Sequence, residues 1–347
     1  MKIFTKRNAA LYLGTAVALS VTQTYCGIRA RSIANSKDEL VFSSNNNNIK
    51  SVAKRFLKSL AYFLASPYTI PQFCIGSALF PSTLYSTLQS SFRYFPTIKR
   101  CTAALENHQN LIETLKNAKH IKLDVDGCLI KGIQIWPSDN NRPSQYAVIT
   151  LGSEKVYETL DLSYLKKLME KLNAGLILYN SPSVLGSGGF LRGGMLTPNK
   201  IVETHQAALE YASNLEKVKQ VIDISCSTST VVQGESLREL PLSLESKNIQ
   251  IVKISAVNSL SKFAQEIVLK LTNSKTTAAI VNISISIFGW NLKANPFSAA
   301  SNHDIQNIFR EDRASTSDNL DQLNSPVKEA RSFLEKRAKF EKNQKED

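Results

Sequence analysis

The 347-residue sequence is poor in the features that would mark several protein classes. Its cysteines, Cys26, Cys74, Cys101, Cys128 and Cys226, are odd in number and form no CxxC pair, which excludes a cysteine-built disulfide framework and a cysteine zinc signature. Acidic residues are nearly missing from the first 100 positions, where Asp38 and Glu39 stand against 13 Lys/Arg. The other 247 residues are close to balance, with 29 basic and 27 acidic side chains. The formal charge of +13 is therefore mostly a local +11, and a basic nucleic-acid groove on the globular part is not expected. No histidine follows His303, which bears on catalysis below. With 43% apolar and 20% charged residues, the chain has the composition of a core-forming protein; global disorder and a wholly membrane-embedded chain are excluded.

What is present divides into three parts. Residues 1–28 carry Lys2, Lys6 and Arg7 ahead of an uncharged run over 8–28, as a signal peptide or membrane anchor does. Thr15, Ser20, Thr22, Gln23 and Thr24 dilute its apolar character. Residues 29–114 form a basic linker, with a loop at 45–48, and a second uncharged run over 59–92 that Pro67, Pro71 and Pro81 interrupt. These cations suit an anionic lipid surface, so membrane association is expected, at a bilayer the sequence does not identify.

Residues 115–347 read as one α/β domain. Asp126-Gly127 between two alternating runs predicts a hairpin, because a type I′ turn needs positive φ. Strands are then expected over 146–151, 175–179, 218–225, 248–254 and 304–309. Helices are expected over 162–172, from Thr197-Pro198 to about 215, after 229 through 237, over 259–271, and from Ser325-Pro326 onward. Repeated β-α units make a mostly parallel sheet flanked by helices. Ligands in such sheets bind at the carboxyl ends of strands.

One such end carries Ser225-Cys226-Ser227-Thr228-Ser229 between a strand and a helix. Its spacing matches a G-x-S-x-G nucleophile elbow with both glycines replaced by serine. An ordinary Ser-capped turn has the same letters. Around it, Tyr179-Asn180, Ser187-Gly188-Gly189, the Thr197-Pro198 helix and Val232-Gln233 follow in fixed order. Asp126-Gly127, residues 152–158 (G-S-E-K-V-Y-E), residues 251–263 and Gly289-Trp290-Asn291 extend the pattern across roughly 118–310. This order resembles the chlamydial CHLPS family of α/β-hydrolase-like proteins. The resemblance implies an α/β-hydrolase-like sheet, Ser227 at the nucleophile position, and oxyanion donors at Thr228 and the Gly152–Ser153 turn. It places the acid after the last strand, at Asp312 or Asp318. The histidine should follow the acid, and none does, since His108, His120, His205 and His303 all precede it. His205 reads as a surface or packing residue.

Two other motifs compete. Asp124-Val125-Asp126-Gly127 resembles the D-x-D-G opening of haloacid-dehalogenase-type phosphatases, with Asp124 as nucleophile, Asp126 as acid/base and Mg²⁺ between them. The alternating residues on both sides favour the hairpin instead. The glycines within 186–194 have the wrong spacing for a dinucleotide fingerprint and read as a loop. No cofactor and no resident metal is expected.

The leading expectation is therefore a membrane-associated α/β-hydrolase-fold protein with a degenerate catalytic site, serving as a binding or interaction protein at a membrane surface or with a protein partner. An active serine esterase or acyl hydrolase using Ser227 is the alternative, and a Mg²⁺-dependent phosphatase using Asp124 and Asp126 comes third.

Overall fold

The turn at Asp126-Gly127 organises one edge of the structure, a computed structural model. It describes residues 6–36, 40–43, 49–80, 117–137, 143–151, 156–160, 162–182, 184, 187, 196–238, 240–241, 244, 248–254, 257, 259–293 and 305–308. Asp126 (φ 49°) and Gly127 (φ 85°) both have positive φ, as the hairpin motif requires. They join β2 (Ala118–Val125) to β3 (Cys128–Ile135), paired antiparallel. Then come β4 (Gln145–Thr150), β5 (Gly175–Tyr179), β6 (Gln220–Cys226), β7 (Ile249–Ile254) and β8 (Ile305–Ile308). A short strand β1 (Leu40–Ser43) pairs parallel with β2, giving the order β1-β2-β3-β5-β4-β6-β7-β8. β3 runs antiparallel to β5, and the strands from β5 outward through β4 to β8 are parallel.

Apart from the added β1, this is an α/β-hydrolase-like sheet: an antiparallel hairpin, one exchange of strand order, then parallel strands. The connection leaving β4 goes to one side, to β5, and the next returns to the other, to β6. The ends of β4 and β6 therefore form a topological switch point, where the crevice of an open sheet lies.

The helices follow from apolar periodicity and capping. α1 (Lys6–Ser36), α2 (Ile49–Leu64) and α3 (Ser66–Leu79) precede the sheet. Pro67 falls in the first turn of α3, where a missing N–H costs nothing, and Pro71 lies inside the helix. α4 (Leu162–Leu172) puts Leu165, Leu168 and Met169 on one sheet face with Ile222 and Ile224. α5 (Pro198–Ser213) starts at Thr197, whose hydroxyl accepts from the Lys200 amide at 3.2 Å. It covers the opposite face with Ala208, Leu209 and Ala212, against Val221 and Ile251. α6 (Ser229–Arg238) and α7 (Leu260–Thr272) follow. Asn273, left-handed at φ 51°, ends α7, and Ser274 caps α8 (Lys275–Ile287). A third cluster joins α5, α6 and α7 to the buried Trp290, whose ring packs at a tilt of 39° against Phe80, with centroids 5.7 Å apart.

Every strand and helix expected between 118 and 309 is present within a few residues; the helix expected from Ser325 lies outside the described residues, as does the loop at 45–48. β1 and α8 were not foreseen. The signal-like or spanning expectation for residues 8–28 meets a plain limit: among the described residues no helix is long and apolar enough to cross a membrane.

Candidate active site

Ser227 leaves β6 at the switch point and begins the turn into α6 with φ 54°. Positive φ at a serine costs about 1–2 kcal/mol, because Cβ crowds the following carbonyl. The neighbours hold that conformation. The Ser227 amide donates to Ile254 O on β7 at 2.9 Å, and Ser227 O accepts from the Thr230 amide at 3.0 Å. Ser227 is half-buried, and its hydroxyl has no hydrogen-bond partner among the described residues. It sits at the N-terminus of α6, where the helix dipole favours negative charge.

The two serines that replace the elbow glycines are both built in. Buried Ser225 donates to Gln233 Oε1 at 2.7 Å, and the Gln233 amide nitrogen donates to Asp223 O at 3.0 Å. Ser229 donates to the carbonyl of Leu151, directly after β4. Where glycines would let strand and helix pass closely, these hydroxyls tie them together. Thr228 is buried in the turn. Gly152, Ser153, Asp312, Asp318, His108 and His303 lie outside the described residues.

His205 is fully buried rather than on the surface. Its Nε2 lies 3.0 Å from Asp223 Oδ2, and its Nδ1 lies 2.7 Å from Tyr179 Oη and 3.0 Å from Thr150 Oγ1. A carboxylate only accepts, so Nε2 carries the hydrogen and Nδ1 accepts from the tyrosine. Burial holds the Tyr179 hydroxyl far above the ordinary phenol range, which keeps it a donor. Both imidazole nitrogens are thus occupied below the sheet's crevice. Lys253, opposite Ser225 in the β6–β7 register, is 2% exposed. Burial lowers its ammonium pKa, against the opposing pull of Asp223. The sequence signals the burial of His205, though not its partners: Ile201, His205, Ala208 and Ala212 recur at helical spacing on the inner face of α5.

Asp124 lies near the end of β2, beside the hairpin turn, where its carboxylate is engaged by that turn and by two arginines. Its Oδ1 accepts from the Gly127 amide at 2.7 Å, and its Oδ2 accepts from Arg31 at 2.6 Å and Arg55 at 3.1 Å. Asp126 pairs with Lys58. Burial pushes the Asp126 carboxyl up, but Lys200, Lys58 and Lys54 outweigh it and leave it below the ordinary value. Two cations of the N-terminal excess, Arg31 and Arg55, are therefore turned inward, while Lys58 pairs at the surface. The glycine-rich stretch contributes Ser187, whose hydroxyl accepts from the Lys131 amide at 2.9 Å and anchors that loop to β3. Among the described residues no three His, Cys, Asp or Glu side chains gather as a metal site.

Strand order and elbow together define an α/β-hydrolase-like protein. The profile of the Chlamydia CHLPS protein family (DUF818) matches residues 47–341, and the chain belongs to that family. No curated protein matches it. Among solved structures, it is similar to AbyA5 at 14% identity, covering 65% of this chain and 68% of that one, with a TM-score of 0.41. Est1E from Butyrivibrio proteoclasticus, solved with ferulic acid bound, aligns at 14% identity over 43% of this chain and 56% of its own, at a TM-score of 0.34. The Pyrobaculum calidifontis esterase aligns at 11% identity over 62% and 71%, also at 0.34. The chain spans 56% to 63% of the length of the first solved structures it matches.

Proposed function

We propose that this protein is an α/β-hydrolase-fold binding or interaction protein, in which the Ser227 elbow survives as a recognition turn without a catalytic triad. The observation that carries this reading is the division between Ser227 and His205. The serine hydroxyl has no partner among the described residues, while the imidazole is consumed on both nitrogens by Asp223, Tyr179 and Thr150. A serine without a general base keeps its proton at neutral pH and is a poor nucleophile. A fluorophosphonate probe tests this. No labelling above that of Ser227→Ala is expected, and Ser227-dependent labelling would overturn it.

One observation favours a second reading, an active serine esterase or acyl hydrolase. Ser227 pays the cost of a positive φ that glycine would avoid, and strain of this kind clusters at functional turns. In that reading Thr228, Gly152 and Ser153 supply oxyanion donors, Asp312 or Asp318 the acid, and the base comes from outside the described residues. Ser227-dependent release of p-nitrophenol from short acyl esters would establish it.

A further inference from the structure

α1 is built inside out. Its buried stripe is Ala16, Ser20, Gln23 and Gly27, small or polar residues at a spacing of 4, 3 and 4. Its exposed stripe is Leu13, Val17, Val21, Tyr25 and Ile28. A helix packed on a protein core in water has the reverse pattern. Small residues and polar side chains at helix contacts, with large apolar residues outside, are how helices pack in lipid.

The polar groups of α1 agree with this. Ser59 donates to Gln23 Oε1 across the α1–α2 seam, and the Tyr12 hydroxyl reaches Ser66 Oγ at 2.8 Å. The hydroxyls of Thr15, Ser20, Thr22 and Thr24 each donate to the carbonyl four residues earlier, at 2.7–2.9 Å. Exposed Thr15 and Thr22 therefore have their donors satisfied without water, as a hydrocarbon surrounding demands.

Exposed apolar residues recur on the helices joined to α1. Tyr12 also donates to the carbonyls of Phe63 and Leu64 at the junction of α2 and α3. From α3, Tyr68 donates to Ile287 O at 3.2 Å and Gln72 to Phe288 O at 3.0 Å, fixing α3 beside the end of α8. Tyr68, Ile70, Ile280, Ile283 and Ile287 are all at least 42% exposed there. α1, α2 and α3 contain no acidic residue, and exposed Arg29 and Lys54 stand toward the charged end of the α1–α2 pair.

We propose that α1, α3 and α8 form one apolar face that docks on an anionic lipid bilayer, lying on it rather than crossing it. No described helix is long and apolar enough to span, while an amphipathic surface flanked by cations binds at the headgroup boundary. The proposal assigns contact with the lipid to uncharged side chains. Of the basic residues, Arg31 and Arg55 serve Asp124 instead. It stands independently of whether Ser227 is reactive.

The full chain should float with vesicles of phosphatidylcholine containing a minority of phosphatidylglycerol. Val17→Glu/Val21→Glu and, separately, Ile283→Glu/Ile287→Glu should each lower the bound fraction about tenfold or more, since each removes two buried aliphatic side chains from the contact. Ile283→Leu should bind as the parent does. Unchanged tryptophan emission in a Trp136→Phe background, where Trp290 is the sole emitter, would show that the α3–α8 junction is intact in these variants. Failure of the parent to float overturns the proposal, as does full binding by both glutamate pairs. A stable dimer in solution that the same pairs convert to monomer would also overturn it, assigning the face to a second copy of the chain.

Discussion

Replacing Asp124 with asparagine tests how the N-terminal helices are held. The carboxylate is 1% exposed and accepts through one oxygen from Arg31 on α1 and Arg55 on α2, whose side chains are 16% and 11% exposed. Asparagine keeps an oxygen for the Gly127 amide, so the turn itself survives. What disappears is the charge that two largely buried guanidinium groups face. Removing one partner of a buried ion pair costs about 3–5 kcal/mol, chiefly because the other charge stays buried without compensation. Both arginines retain some contact with water, so the lower end applies, about 3 kcal/mol. Urea denaturation followed by tryptophan fluorescence measures this directly. Arg55→Met should cost less than Asp124→Asn, because Arg31 still pairs with the carboxylate. The double variant should fall short of the sum by more than about 1 kcal/mol, as groups sharing one network do. A loss below about 1 kcal/mol, or additive losses, would refute the claim that this aspartate clamps α1 and α2 to the domain. Mg²⁺-dependent phosphate release abolished by Asp124→Asn would refute the structural role altogether.

Other perturbations address other parts of the molecule. His205→Ala removes the hydrogen bond that its imidazole donates to buried Asp223, while the second carboxylate oxygen already lacks a hydrogen-bond partner among the described residues; a loss of at least about 1–3 kcal/mol in the same urea experiment is expected. Gly76→Ala would place a methyl 2.2 Å from the Trp290 ring, so a cost of about 1–3 kcal/mol and a red-shifted emission are expected. Asp126 titrates below its ordinary value, so its contribution to stability is present above about pH 4 and is lost as pH falls through the folded value. Asp126→Asn should therefore flatten the acid limb of a stability–pH profile; an unchanged limb would assign that limb to other carboxylates.

Much of the domain was legible because its signals are local. Positive φ at Asp126-Gly127 is a demand of two adjacent residues, and Thr197-Pro198 states a helix start in two more. β1 has no such signal: Leu40 finds its partner, Ile121, some eighty positions along the chain. α8 contradicts its own letters, since Ile283-Ser284-Ile285-Ser286-Ile287 alternates with the period of a strand. The capping Ser274, a hydrogen bond from Asn282 to Gln265 on α7, and burial of Ile285 among the residues around Trp290 make it a helix. At the site, the place of Ser227 could be read from the order of segments around it. The engagement of His205 could not, because its three partners come from β4, β5 and β6. The N-terminal charge was also visible as a total, while its partners Asp124 and Asp126 only appear once the hairpin is folded against α1 and α2.

The serines at 225 and 229 lock the elbow to its surroundings. Each hydroxyl satisfies an acceptor, Gln233 Oε1 in one case and Leu151 O in the other. Replacing either serine with glycine would strand that acceptor, at about 1–3 kcal/mol for a buried group. The glycine-framed motif of an active hydrolase is thus separated from this sequence by steps that each weaken the fold. A glycine-framed elbow could be introduced here only by changing Gln233 and the β4 end together with the two serines.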